Sequence, residues 1–154
     1  MRDVGHEGRR APGQDESDGV GMAAERTAIN PVTWSQELGF NQAELVSGHT
    51  RTLFCSGQTA MSPDGRPQHE GDLAAQLALS LDNLEAVLTE ARMTLADVVR
   101  LNVYTTDVDA LFQHYGVLAA RLGAARVAPA TTMLGVTRLA VPGQLVELEA
   151  TAVA

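Results

Sequence analysis

Six apolar residues, Leu73, Leu77, Leu81, Leu84, Leu88 and Ala91, recur at steps of three or four between positions 73 and 91. That spacing predicts a helix over about 73–92 with a single apolar stripe, which must be buried against something. Asp72 stands where an N-cap is needed. The period then changes. Over Val98–Tyr104, Val99, Leu101 and Val103 alternate with Arg100, Asn102 and Tyr104, which reads as a strand with one core face. A one-sided helix followed directly by a one-sided strand points to helices layered on a sheet.

The other elements fit that layering. Ala43–Ser47 and Thr52–Gly57 read as two short strands joined through Gly48-His49-Thr50-Arg51, a predicted hairpin. Ser62-Pro63-Asp64-Gly65 is a turn. Thr106 and Asp109 have capping-box spacing before a second helix over about 108–122, which carries Leu111, Phe112, Tyr115, Leu118 and Leu122, with Gly123 as its stop. Ala130–Val136 and Val146–Val153 read as final strands around a turn at Pro142-Gly143. The resulting order, ββ-α-β-α-ββ, is an α+β fold with two helices on one sheet face. The opposite face is expected to carry apolar and hydroxyl groups, among them Thr151, Val153 and Met133, and to be covered in an oligomer.

A chain of 154 residues is one domain's worth, and 45% hydrophobic residues suffice for a core. Residues 1–26 are polar and Gly-rich and read as a disordered leader. Met22 is a candidate start, and order is expected from near Asn30-Pro31, giving a folded domain over 27–154. There is no apolar run of membrane-spanning length and no signal-like h-region, so a cytoplasmic protein without a membrane partner is expected. The net charge of −8 disfavours nucleic acid. His6, His49, His69 and His114 lack metal-ligand spacing, so no metal is expected. All eleven basic residues are arginines. With no lysine, a lysine Schiff base is excluded, and carbonyl or imine chemistry must run through acid–base steps and water.

One group of residues suits such chemistry. Glu147 and Glu149 lie two apart on the last predicted strand, so both project to one face, about 6–7 Å apart. A carboxylate facing a partly apolar cleft can pass a proton between water and an imine nitrogen; the alternative is a solvent-facing polar strand. Ser56, before Gly57-Gln58, fits either a ligand hydrogen bond or a turn residue bonding its own backbone. No Ser-His-acid set accompanies it. Cys55 faces the other way and reads as a small buried hydrophobe. Trp34, Phe40 and Tyr104 fit a cleft wall or the core equally well.

Several motifs, in order, resemble the Rid (reactive intermediate deaminase) family, also called YjgF-like. They are Gly39-Phe40-Asn41-Gln42-Ala43, Cys55-Ser56-Gly57-Gln58, Ser80-Leu81-Asp82-Asn83-Leu84, Asp97-Val98-Val99-Arg100, Asp107, Pro129-Ala130 and Glu147-Leu148-Glu149-Ala150. The resemblance covers about residues 30–154. It implies a chorismate-mutase-like sandwich, a homotrimer with clefts between subunits, and cofactor-independent hydrolysis of enamines and imines to 2-oxo acids and ammonia. It assigns Glu147 to hold the attacking water and Ser56 and Phe40 to line the cleft, Phe40 replacing the usual tyrosine. Met133 stands where those enzymes often have cysteine. Thr131 stands where they carry the arginine that grips the substrate carboxylate.

Threonine offers one neutral hydroxyl in place of a bidentate fork. Arg138, seven positions on, points to the other face of a regular strand, and nothing in the sequence directs Arg126 inward. The expectation is an imine or enamine hydrolase acting on a small molecule other than a small 2-imino acid. The alternatives are a non-catalytic binding or interaction protein on the same trimer, and a biosynthetic cyclase or isomerase that shields an intermediate. The endoribonuclease activity attached to older family labels fits the acidic charge poorly.

Overall fold

The computed structural model describes residues 23–154. Most of the expected leader lies outside the described residues. The first secondary element, strand β1 (Glu25–Ile29), starts before the point where order was expected. It is followed by a short helix α1 (Trp34–Glu37) and strands β2 (Ala43–Ser47) and β3 (Thr52–Phe54). Among the described residues three strands, rather than the predicted two, therefore precede the long helix.

That helix, α2 (Leu73–Glu90), starts where the sequence places it. The Asp72 carboxylate accepts from Ala75 N at 2.9 Å, satisfying one of the free N–H groups of the first turn. Leu77, Leu81, Leu84 and Leu88 are fully buried. At such sites truncation to Ala costs about 2–5 kcal/mol. They pack on the inner face of a four-stranded sheet with order β3-β6-β4-β5, formed with β4 (Val98–Thr105), β5 (Ala130–Gly135) and β6 (Val146–Val153). β6 runs antiparallel to both β3 and β4, while β5 runs parallel to β4. In β6, Val146, Leu148, Ala150 and Ala152 face the helices and are buried, as the period of two requires.

β4 departs from its predicted pattern. A register irregularity between Val98 and Arg100 places Val98, Leu101 and Val103 in the core and leaves Val99 only partly buried. An extra residue in one strand shifts the alternation by one, so a periodic reading fails at that point.

The second helix is two. α3 (Val108–Gln113) and α4 (Tyr115–Ala124) meet at His114. The cap is Asp107, accepting from Ala110 N at 2.9 Å, rather than Thr106. Gly123 lies inside α4, and the chain leaves through Arg126 at φ 53°. The Arg121 guanidinium on α4 holds Asp82 at 2.5 Å and also contacts Glu85, tying α4 to α2. The Asp82 hydrogen bond raises its already high pKa.

The predicted β2–β3 hairpin is absent. β2 pairs with β1 along its whole length, and β3 pairs with the end of β6. The two-stranded β1–β2 unit is anchored by Arg26. Its guanidinium donates to Glu44 Oε2 at 2.8 Å, to Val98 O at 2.9 Å and to Ala96 O. A bridge between Asn41 and Ala130 sets the unit beside β5.

Candidate functional site

Residues directly paired across strands share a sheet face. Tyr104 pairs with Glu147 and Asn102 with Glu149, so both carboxylates share one face, as their spacing predicted, and it is the face away from the helices. Asn102 Nδ2 donates to Glu149 Oε1 at 2.9 Å. Glu149 thus has a partner within the chain. On the same face Arg100 donates to Thr132 Oγ1 at 2.7 Å.

Glu147 is placed by the segment after β3. Gln58 N donates to Leu148 O at 2.7 Å, and Leu148 N donates back to Gln58 O at 2.9 Å. This pair seats Ser56-Gly57-Gln58 against β6. Asn83 of α2 steadies the next turn by donating to Thr59 O at 2.9 Å and Met61 O at 3.0 Å. The approach is close at Gly57, where a Cβ would lie 1.7 Å from Glu147 Oε1 and 2.7 Å from its Cδ. Only glycine leaves room for the carboxylate in this position. Ser56 is exposed beside it, whereas Cys55 is buried and its thiol pKa is raised by desolvation. Glu147 thus lies against Gly57, with Ser56 the exposed residue next to it in the chain.

Phe40, Thr131 and Met133 form a group of their own. Thr131 pairs with Leu101 and Met133 with Val103, so both side chains lie on the helix side of β5. This corrects the expectation that Met133 shares the outer face with Thr151. The two residues wall a cavity of about 320 Å³ together with Phe40, Trp34 and Leu38 from the α1 segment and Phe112 and Tyr115 from α3 and α4. Trp34 and Phe40 meet edge to face with centroids 5.8 Å apart, a favoured aromatic geometry. The hydroxyls here are turned to the backbone: Thr131 Oγ1 donates to Pro129 O at 2.9 Å and Tyr115 OH to Leu38 O at 2.8 Å. Burial raises the Tyr115 pKa. Among the described residues no arginine lines the cavity; Arg126 borders a separate depression beside Arg26 and Glu44, and Arg138 another beside Leu139.

The structure thus divides the predicted site residues. Glu147 and Ser56 belong to the outer face, and Phe40, Thr131 and Met133 to the cavity on the helix side. Tyr104, grouped in sequence with Trp34 and Phe40, belongs with Glu147 instead. The sequence reading missed Gly57 as the residue that makes room for the carboxylate. It also assigned Phe112 and Tyr115 to one helix stripe; the chain breaks at His114, Phe112 is exposed and Tyr115 packs at the core's edge, and both border the cavity.

A family profile described as Endoribonuclease L-PSP matches residues 35–154. RutC family protein YjgH of Escherichia coli is 31% identical over 116 residues, covering 75% of this chain and 87% of its own. The chain belongs to the Rid/YjgF-like family. Among solved structures of this family, YyfB from Yersinia pestis, described as a Rid protein of unknown function, is 38% identical with a TM-score of 0.72. It covers 84% of this chain and 98% of its own. Rv2704 from Mycobacterium tuberculosis is 34% identical with a TM-score of 0.57, covering 84% of this chain and 100% of its own. The α+β architecture of this Rid-like chain matches these structures. Among its described residues no three His, Cys, Asp or Glu side chains cluster closely enough to hold a metal ion, and no helix is long and apolar enough to cross a membrane.

Proposed function

We propose that this Rid-like chain is a cofactor-independent imine or enamine hydrolase with a substrate range shifted away from small 2-imino acids, and that its site is assembled between copies of the chain in a chorismate-mutase-like homotrimer. One observation carries this reading. The residues suited to handling water, Glu147 with Ser56 and Gly57, and those suited to holding a ligand, Phe40, Thr131 and Met133, are on opposite faces of one sheet. Within one chain the sheet stands between them. A neighbouring copy that brings its outer face against the cavity rim of the next would present both to one molecule.

In this reading Glu147 takes a proton from a water molecule as its oxygen bonds to the imine carbon. The proton passes to the nitrogen, giving a carbinolamine. Glu147 then carries the hydroxyl proton to the nitrogen as the C–N bond breaks, releasing ammonia and leaving a carbonyl. General acid–base help of this kind contributes about 10²–10⁴-fold. Thr131 occupies the position of the family's carboxylate-gripping arginine, so small 2-imino acids lose a bidentate charged partner. The net charge of −8 argues against an RNA substrate.

The test is ammonia release from 2-iminopropanoate and from imines of larger uncharged carbon skeletons, with native mass spectrometry of the oligomer. Turnover of the larger imines that vanishes in Glu147→Gln, on a trimer, supports the reading. A monomer, or turnover indifferent to Glu147, overturns it. A second reading, a non-catalytic binding protein on the same assembly, is favoured by the uncharged cavity wall. It requires a ligand that survives long incubation unchanged and is bound equally by Glu147→Gln.

A further inference from the structure

The cavity beside β5 is small, uncharged and lined almost wholly by carbon. Its volume of about 320 Å³ lies at the low end of ligand pockets, which run from about 300 to 1,000 Å³. It suits one ring-sized group rather than a whole large ligand. The two hydroxyls in its wall, on Thr131 and Tyr115, already donate to backbone carbonyls. An ionised group placed there would lose its water and find no charged partner, which is strongly unfavourable. The face of an apolar ring, by contrast, would meet Phe40, Met133 and the aromatic edge of Trp34. Aromatic and thioether contacts of that kind are favourable beyond the area they bury. Trp34 and Phe112 are 58% and 56% exposed and border the cavity, so the remainder of a ligand could pass between them.

We propose that the cavity bounded by Trp34, Phe40, Phe112, Tyr115, Thr131 and Met133 is a specificity pocket for an uncharged, ring-sized apolar group of the ligand. The proposal deepens the hydrolase reading, on which the nature of the ligand's reactive end rests. The binding preference itself rests on the pocket alone. Aromatic or branched aliphatic imines are the substrate class it selects, with the C=N carbon carried outside the cavity toward the neighbouring copy's Glu147.

Trp34 is the single tryptophan of the chain, so its emission, excited at the red edge of its absorption, reports occupancy of this pocket. The probes are benzyl alcohol, neutral and ring-sized, and 2-oxobutanoate, small and anionic, titrated into the full-length protein. The expected result is saturation by benzyl alcohol at a concentration at least about tenfold below that needed for 2-oxobutanoate. Met133→Gln, which keeps length and adds polarity, should weaken benzyl alcohol about fivefold or more. Thr131→Arg should bring 2-oxobutanoate level with it or ahead. Equal or tighter binding of 2-oxobutanoate by the unaltered protein overturns the proposal. So does a benzyl alcohol response that never saturates or is unchanged in Met133→Gln. If Met133→Gln fails to fold, the order of the two probes on the unaltered protein still decides. Apolar preference with no turnover of any imine leaves this proposal standing and removes the hydrolase reading; turnover that prefers small anionic imines does the reverse.

Discussion

The outer face of β6 and the helix side of β5 differ in nearly every physical respect. The first presents two carboxylates, with an amide and an arginine of β4 beside them and Glu147 pressed against a glycine. The second presents aromatic and thioether carbon, with its hydroxyls turned to the backbone. They are carried by strands on either side of β4, yet the sheet separates them. Sixteen positions divide Thr131 from Glu147, and cross-strand register alone puts them on opposite faces. The contrast teaches that one sheet can place a polar carboxylate group and an apolar cavity on its two faces, and the proposed function makes them halves of one site.

The largest effect would test that union directly. Glu147→Gln should lower imine turnover by about 10²-fold or more. Met133→Trp should also abolish it by filling the cavity, at a stability cost of about 1–3 kcal/mol. Co-expressing the two inactive variants should restore turnover that neither has alone, because some mixed assemblies pair an intact carboxylate with an intact cavity. Activity assays of purified mixed oligomers check this, and no recovery means that the halves do not meet between copies.

Gly57→Ala comes next. Its Cβ would overlap the Glu147 carboxylate, which would have to swing aside. A displacement of about 1 Å can cost about 10²-fold in rate. The φ of Gly57 is not in the left-handed region, so the thermal midpoint should be unchanged or slightly raised. Calorimetry beside kinetics separates the two effects, and a fully active variant would remove Gly57 from the outer half.

Thr131→Arg, on the cavity side, should improve KM for 2-iminopropanoate by about tenfold, since a hydrogen bond to a charged group contributes about 1.5–3 kcal/mol. An unchanged KM would show that the cavity does not receive the carboxylate end. The smallest effect is Tyr115→Phe. Losing the hydrogen bond to Leu38 O should cost about 1 kcal/mol, read by denaturant unfolding. It should leave Glu147-dependent chemistry intact if the two halves are independent within a chain.

The stripe of Leu73–Leu88, the Asp72 cap and the alternation of β6 were legible because each is a local consequence of side-chain spacing, and buried positions such as Leu81 and Leu148 follow from it directly. The family motifs were legible for the same reason, being short runs in fixed order. That Glu147 and Glu149 share a face needed only the two-residue strand period.

What the sequence could not decide were the choices among partners. β2 prefers β1 over its neighbour β3 because β1, a polar run with little alternation of its own, offers five registered pairs. Val99 leaves the core because an irregularity between two strands shifts the alternation of β4. Met133 and Thr131 turn toward the helices because β5 takes its register from β4, and the short range of a sequence pattern says which residues alternate without saying which alternate set faces inward. Periodicity determined the elements of this protein; hydrogen-bond register between distant strands, a tertiary property, decided which side of the sheet each part of its chemistry occupies.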